Sequence, residues 1–422
     1  MKINSDRLLE NLRALRRFTD TPGEGVTRFS YGEQDKKARE YISERAKAAG
    51  CTVRVDDVGN IRIGLPGNVP GRQSVLCGSH IDTVRNGGWL DGAYGVCGAL
   101  EVLECLAEGV KTGADQPLNY EMVIFAEEEG TNFGSTMTGG KFLTGKYGDA
   151  DLDKLTDDQG RTLREVLAEH KPPEAAGKPV LTVPWDLSSI AAMLELHIEQ
   201  GPMLERAGRS IGIVDAVFGM RVIEVMLTGA GNHAGTTPMK ERKDALCAAA
   251  ECILAAEEIV SADPEERTVV TVGKIEVQPN CSNVIPEAVR FSLEVRDNDA
   301  DEINGNMERI IHAIRQIAMD RGVYCQIREV SQSDPMRMDE EIIRQIHMAA
   351  EEAGIPYLLM DSGAVHDACM IAEAGIPTGM IFVPSIDGRS HVPEEDTKAA
   401  DLIAGAQLLL DVVEKLRGNK GE

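Results

Sequence analysis

The chain has 422 residues, with 44 Lys and Arg against 69 Asp and Glu for a formal net charge of −25; domains of roughly 100 to 200 residues would make two or three of it, enough for a sizeable core. So acidic a chain, with no local basic stripe, repels phosphate backbones and anionic bilayers, which argues against nucleic acid and membrane as partners. Its opening MKINSDRLLENLRALRRFTD is charged throughout, unlike a signal peptide, and no run approaches the ~18 apolar residues of a membrane span, so a soluble, cytoplasmic protein is expected.

Strand-like runs alternate with amphipathic helices. Residues 74–78 (SVLCG) read as a strand, and in residues 96–110 Val96, Leu100, Leu103 and Leu106 recur at helical spacing with Glu101, Glu104 and Glu108 facing out. Residues 120–126 (YEMVIFA) and 193–197 (MLELH) are again short and apolar, while the polar, proline-containing stretch 141–192 reads as an irregular excursion. From Met220 the order changes to strand (RVIEVMLTG), helix (244–260), two strands (TVVTVGKIEV and AVRFSLEVR), helix (302–321) and strand (VYCQIREV), the β-α-β-β-α-β order of a split, ferredoxin-like unit. The first pattern resumes at Met338 and closes with a helix over 398–416. The expected architecture is therefore an α/β domain made of residues 1–213 and 332–422, with an α+β domain of residues 214–331 inserted into it.

Nine cysteines without a C-x-x-C pair argue against a disulfide framework or a zinc ribbon; Cys77, Cys97, Cys105 and Cys247 lie in apolar stretches and are expected as buried thiols. Of the eight histidines, His170, His312 and His347 lie in charged helical contexts and read as surface positions. The other five, His80, His197, His233, His366 and His391, sit in turns rich in Gly, Asp and Ser.

Four strands run directly into polar clusters: SVLCGSHID, EMVIFAEEEG, MLELHIEQG and GMIFVPSIDGRSH. In open α/β sheets ligands bind at the carboxyl ends of strands, so these clusters are expected to converge. They bring His80, Asp82, the Glu127–Glu128–Glu129 triplet, His197 and His391, with Asp91 eleven residues beyond His80. Alone, H-x-D is an ordinary turn and a Glu triplet a solvated charge run. Together at strand ends, imidazole nitrogen and carboxylate oxygen are the donors that a divalent cation takes, and two cations can share one bridging carboxylate. Three adjacent carboxylates in a cleft would also repel one another strongly without cations.

The segments GSHIDTV, GGWLDGAYGV, AEEEGTNFG, ELHIEQGPMLE, GNHAGTTPM, PNCSNVIP, SGAVHDA and PSIDGRSHVPEE follow one another in the order found in the hydantoinase/carbamoylase branch of the dinuclear metallopeptidase superfamily, and the chain resembles that branch from Gly78 to Glu395. The resemblance implies a catalytic domain with two divalent metal ions (zinc, manganese or cobalt) and a smaller lid domain that forms a homodimer. It implies His80 and His197 each binding one metal with Asp91 bridging, Glu129 and His391 completing the other shell, Asp82 orienting His80, and Glu128 as general acid/base. The three consecutive glutamates leave the register open by one position, so Glu127 remains an alternative. It further implies that His233 reaches the partner subunit's site to stabilise the oxyanion, that Asn283 and Arg296 clamp a substrate carboxylate, and that Gln200 and His366 line the substrate pocket. Val365 stands where related chains carry Gly, and Thr131–Asn132 where an Arg-containing SRF or ARF is common, so the pocket is expected to differ.

The expected activity is metal-dependent hydrolysis of a linear amide or ureido C–N bond in a small carboxylate-bearing substrate, foremost an N-carbamoyl amino acid. The same donors would serve a dipeptidase or an N-acyl amino acid deacylase. A metal-free binding protein on the same scaffold is the alternative from another class.

Overall fold

A computed structural model describes residues 1–109, 116–170, 180, 182–262 and 267–418. In chain order they form α1 (Ser5–Leu15), α2 (Glu33–Ala48), β1 (Thr52–Val55), β2 (Ile61–Gly64), β3 (Ser74–His80), α3 (Ala93–Gly109), β4 (Asn119–Phe125), α4 (Thr138–Leu143), α5 (Leu163–His170), β5 (Ile190–Ile198), α6 (Met203–Ala207) and β6 (Ile211–Val217). Then come β7 (Gly219–Thr228), α7 (Ala245–Ser261), β8 (Val269–Thr271), β9 (Ile275–Gln278), β10 (Ala288–Asp297), α8 (Ala300–Arg321), β11 (Tyr324–Ser333) and β12 (Met336–Arg337). The last elements are α9 (Glu340–Glu352), β13 (Tyr357–Ser362), α10 (Asp367–Glu373), β14 (Thr378–Val383) and α11 (Ala399–Gly418). The chain divides into two compact units, one of Met1–Asp215, Met338–Met360 and Ala364–Glu422, the other of Ala216–Arg337 and Asp361–Gly363.

In the first unit the strands lie in the order β1-β2-β4-β3-β5-β14-β6. The central four, β4, β3, β5 and β14, are mutually parallel, so their carboxyl ends fall side by side, with His80 opposite Phe125 and His197 opposite Phe382. Both sheet faces are covered, which is why these strands read as continuous apolar runs. Strand alternation sorts their side chains. Val75, Cys77, Tyr120, Met122, Ile124, Leu194 and Leu196 join the core beneath α1, α3, α9 and α11. Leu76, Val123, Phe125 and Met193 point the other way into a smaller cluster with Leu143 and Ile371, from α4 and α10. His80 shares the parity of Leu76, and Glu195 and His197 that of Met193, so all three emerge on this second face.

Glycine is required where strand meets strand. A Cβ on Gly78 would stand 2.0 Å from the Val123 carbonyl oxygen and force β3 from β4, two residues before His80.

The second unit pairs β11-β7-β10-β8 antiparallel, with β9 also on β10. Helices α7 and α8 cover one face: Ile303, Met307, Ile310, Ile314 and Ala318 form the stripe of α8 that packs on Ile223, Val225, Leu227 and Phe291. Asp244 and Asp299 cap the two helices through their carboxylates, and Gly322, at φ 62°, ends the second. Two expectations need correction. The strand read through TVVTVGKIEV is broken at Val272–Gly273–Lys274 into β8 and β9, where the register against β10 slips by one residue, a bulge at a glycine. Cys247 is exposed, since its place in α7 turns it away from the stripe of Ala245, Ala248, Ala249 and Cys252. Cys77, Cys97 and Cys105 are buried.

Candidate metal centre

At the carboxyl edge of the four parallel strands, four side chains, those of His80, His197, His391 and Glu129, gather around one carboxylate, that of Asp91. Its Oδ1 lies 3.2 Å from His197 Nε2 and 3.6 Å from His80 Nε2, and its Oδ2 lies 3.0 Å from His391 Nε2. Glu129 Oε1 stands 3.5 Å from His391 Nε2. The donors of His80, Asp91 and His197 all lie within 4.8 Å of one another, as do those of Asp91, Glu129 and His391. Asp91 thus belongs to two donor groups, one oxygen toward each.

The imidazoles are held so that Nε2 is free to face inward. His80 Nδ1 is 3.0 Å from the Asp82 carbonyl oxygen and His197 Nδ1 is 2.9 Å from that of Ile198, bonds in which Nδ1–H donates and which turn Nε2 toward Asp91. Gly92 N–H points at His197 Nε2 from 3.0 Å, in keeping with that tautomer. Gly92 adopts φ 62°, and a Cβ there would stand 2.5 Å from His80 Nε2, so the turn that delivers Asp91 tolerates no side chain. The carbonyl of Asp82, rather than its carboxylate, orients His80; the carboxylate Oδ1 is 3.6 Å away, and Oδ2 accepts from the Glu129 backbone N–H at 3.1 Å.

The triplet divides into three environments. Glu127 is wholly buried at φ 55°, and its Oε1 accepts from the backbone N–H groups of Asn132 (2.9 Å) and Phe133 (2.8 Å), so it builds the turn. Glu128 is buried with Oε2 3.7 Å from His80 Nε2. Glu129 Oε1 is buried and has no hydrogen-bond partner, the state expected of an oxygen meant for a cation. Burial, reinforced by Asp367, Asp82 and Asp91, pushes the Glu128 carboxyl well above its ordinary range. Burial and the charges of Asp91 and Glu128 raise Glu129 to about 9. His391, held by Asp91 and close to Glu129, is also raised to about 9. This donor set fits a pair of divalent cations: imidazoles and carboxylates, preoriented, with one carboxylate shared.

Around this group, Gln200 donates Nε2–H to Asp91 Oδ2 at 2.8 Å, and its Oε1 is buried without a partner. His366 is buried beside His197, ring centroids 4.6 Å apart, and burial together with His197 holds it well below the usual imidazole range, hence neutral. The remaining residues named from sequence lie in the second unit. His233 and Asn283 are exposed on adjoining loops, where Ala234 N–H donates to the Asn283 carbonyl and His233 Nδ1 accepts from Gly235 N–H at 3.0 Å. Arg296 bonds to Glu294 Oε1 at 2.6 Å and to the Gly363 carbonyl at 2.9 Å.

Several residues behind the donors were not singled out from sequence. Glu195, two before His197 and so on the same face of β5, accepts from Ser79 Oγ (2.7 Å) and from Ala368 N–H (2.8 Å); that i−2 spacing was the available signal. Arg39 of α2 pairs with Asp35 and donates to the Phe125 carbonyl at 3.1 Å, pinning the end of β4. Arg28 is wholly buried, with Nε donating to the Ile81 carbonyl and Nη1 to that of Leu15. In a charged N-terminal segment nothing distinguishes these arginines from surface ones.

The model of peptidase family M20/M25/M40 matches residues 76–415. The chain is 36% identical to an N-carbamoyl-L-amino-acid amidohydrolase of Paenarthrobacter aurescens over 98% of both chains, and 37% identical to an allantoate amidohydrolase of Bacillus subtilis over 93% of both. Its fold is similar to the crystal structure of a hydantoinase/carbamoylase family amidase from Burkholderia multivorans, with TM-score 0.89, 34% identity and 99% of each chain covered.

At pH 7.5, below both values near 9, Glu129 and His391 hold protons that ligation must displace. Titrating chelator-treated protein with Zn²⁺ in buffers of differing ionisation enthalpy should show net proton release, and affinity should fall as pH is lowered. Binding without proton release would contradict this assignment of charge.

Proposed function

Because this chain belongs to peptidase family M20/M25/M40, a metal-dependent family, we propose its substrate and the role of each residue from the chemistry of the Asp91 centre. The protein is a hydrolase of linear carbon–nitrogen bonds other than peptide bonds, of the ureide and amide kind. The substrate we propose is an N-carbamoyl amino acid or related ureide: the substrates named in the two relatives' activities share a linear ureido group beside a carboxylate. The observation that carries the reading is the carboxylate of Asp91, with one oxygen toward His80 and His197 and the other toward His391.

We assign His80, His197 and Asp91 to one divalent cation and Asp91, Glu129 and His391 to a second. Such a pair, when bound, would supply a water acidified toward neutral pH and an electrophile for the substrate carbonyl. Glu128 is the base: it is buried beside His80 and, unlike Glu127, is not committed to backbone N–H groups. It takes a proton from the attacking water and returns it to the departing nitrogen, and its elevated affinity for protons suits the second half of that exchange. A ureide would then leave as the free amine and carbamate, which falls to ammonia and carbon dioxide. Neutral His366 and the unpartnered Oε1 of Gln200 offer polar contacts for the ureido group. Asp82 serves His80 through its backbone and Glu129 through its carboxylate.

For the second unit we propose a lid that also forms a homodimer, in which Asn283 and Arg296 receive the substrate carboxylate and the partner's His233 stabilises the oxyanion. Arginine suits this because its planar fork can bond both oxygens at once.

Three outcomes test the reading. In a panel of N-carbamoyl, N-formyl and N-acetyl amino acids with allantoate, the ureides should turn over faster than the N-acetyl compounds; the reverse order would make the enzyme an N-acyl deacylase. Glu128→Gln should retain its metal content and lose about 10²–10⁴-fold in kcat, whereas an active variant would reject Glu128 as base. Mixed dimers reassembled from inactive His233→Ala and inactive Glu128→Gln subunits should recover part of the wild-type activity, and none would be recovered if the two residues served a site within one chain.

A further inference from the structure

Two of the proposed donors, Asp91 and His391, lie 300 residues apart on loops that leave different strands, and a buried side chain assigned to neither joins them. Glu395 is 1% exposed. Its Oε1 accepts from two successive backbone N–H groups, Leu90 at 2.9 Å and Asp91 at 3.1 Å. Its Oε2 accepts from Ser390 Oγ at 2.8 Å, and the same hydroxyl is 3.4 Å from Asp91 Oδ2. Both oxygens are thus used, one on each loop. The loop before Asp91 is shaped to admit this carboxyl: a Cβ on Gly88 would fall 1.9 Å from Glu395 Cδ. Such a fit has no purpose in packing alone, where an apolar side chain would fill the space without bringing charge beside Asp91.

We propose that Glu395 is a positioning residue that staples the Asp91 turn to the His391 turn, and so sets the spacing of Asp91, Glu129 and His391 on which the second cation depends. The inference rests on the dinuclear reading above. His80 and His197 are held through separate bonds, to the carbonyls of Asp82 and Ile198, so of the first cation's donors the staple ties only the shared Asp91, whereas it ties both Asp91 and His391 of the second. The role is one of geometry: glutamine can keep an oxygen on the two backbone N–H groups while its amide donates to Ser390 Oγ, so it should serve nearly as well as glutamate.

The test is calorimetric titration of chelator-treated protein with Mn²⁺ and Zn²⁺, read as the affinity of each of two binding events and independent of turnover. Glu395→Ala should weaken one event by roughly 10- to 100-fold and leave the other within about threefold, while Glu395→Gln should restore both. Ser390→Ala, which removes one bond and leaves Glu395 in place, should weaken the same event several-fold and serves where the alanine variant at 395 does not fold. Two unchanged affinities in Glu395→Ala, or in Ser390→Ala if only that variant folds, would overturn the proposal. So would a glutamine variant as impaired as alanine, or equal weakening of both events. Should wild-type protein bind fewer than two cations, the dinuclear reading falls and this inference with it; two wild-type events with an indifferent Glu395 would remove this inference alone.

Discussion

The constraint on which the site depends is the crowding of carboxylates where four parallel strands end. Asp82, Asp91, Glu127, Glu128, Glu195, Asp367 and Glu395 are all buried there, and Glu129 nearly so. Burial raises the cost of each charge, and proximity multiplies it. Each carboxylate is committed in a different way. Glu195 and Glu395 spend both oxygens on backbone N–H groups and hydroxyls, and Glu127 spends one on backbone N–H groups. Asp91 spends its oxygens on imidazoles, which hold it well below the usual carboxylate range although burial opposes this. Glu128 and Glu129 are left with raised affinities for protons, as are Glu127 and Asp367 beside them, and what sets the first two apart is that their carboxyls stand next to His80 and His391.

Positive charge enters this region from an unexpected quarter. Arg28 and Arg39 precede the sheet in sequence, and their guanidiniums donate to the carbonyls of Ile81 and Phe125, one in the His80 loop and one at the end of β4. Arg39 keeps a carboxylate partner in Asp35, whereas Arg28 bonds only to carbonyls through Nε and Nη1, and its burial lowers it to about 10. A buried arginine without a bonded carboxylate is costly unless a surrounding negative field compensates it. Here Asp35 and Asp82 supply that field. The acids behind the site and the arginines beneath it therefore stabilise one another over distances longer than a hydrogen bond.

How much of this could be read from sequence follows from the range of the signal. The alternation of strands and helices, the β-α-β-β-α-β run and the turns bearing His80, Asp91, His197 and His391 are local patterns, carried by a few consecutive residues. Glu127 and Glu128 could not be separated by position alone, because the distinction lies in the left-handed turn that folds Asn132 and Phe133 back onto Glu127 Oε1. The sequence places Asp82 beside His80 without saying which of its oxygens makes the closer contact; it is the carbonyl, a detail that spacing does not encode. Glu195 was legible from its parity with His197, whereas Arg28, Arg39 and Glu395 act across 53 to 305 residues and leave no trace in any window.

Backbone strain is concentrated in the same place. Glu127, Gln200 and His391 are non-glycine residues in the left-handed region, at φ 55°, 60° and 59°. Each such residue costs of order 1–3 kcal/mol and persists only where its surroundings over-determine it. The surroundings do so here: Ser30 Oγ accepts from Glu127 N–H, Ser385 Oγ accepts from Gln200 N–H, and His391 follows a serine bonded to Glu395. A looser loop would let the carboxylates separate and relax their mutual repulsion. Strained turns tied at both sides oppose that relaxation, and the repulsion they retain is what a cation would relieve on binding. Affinity for the metal and rigidity of the loops are then two aspects of one arrangement, in which the fold keeps the acids closer together than they would stand by themselves.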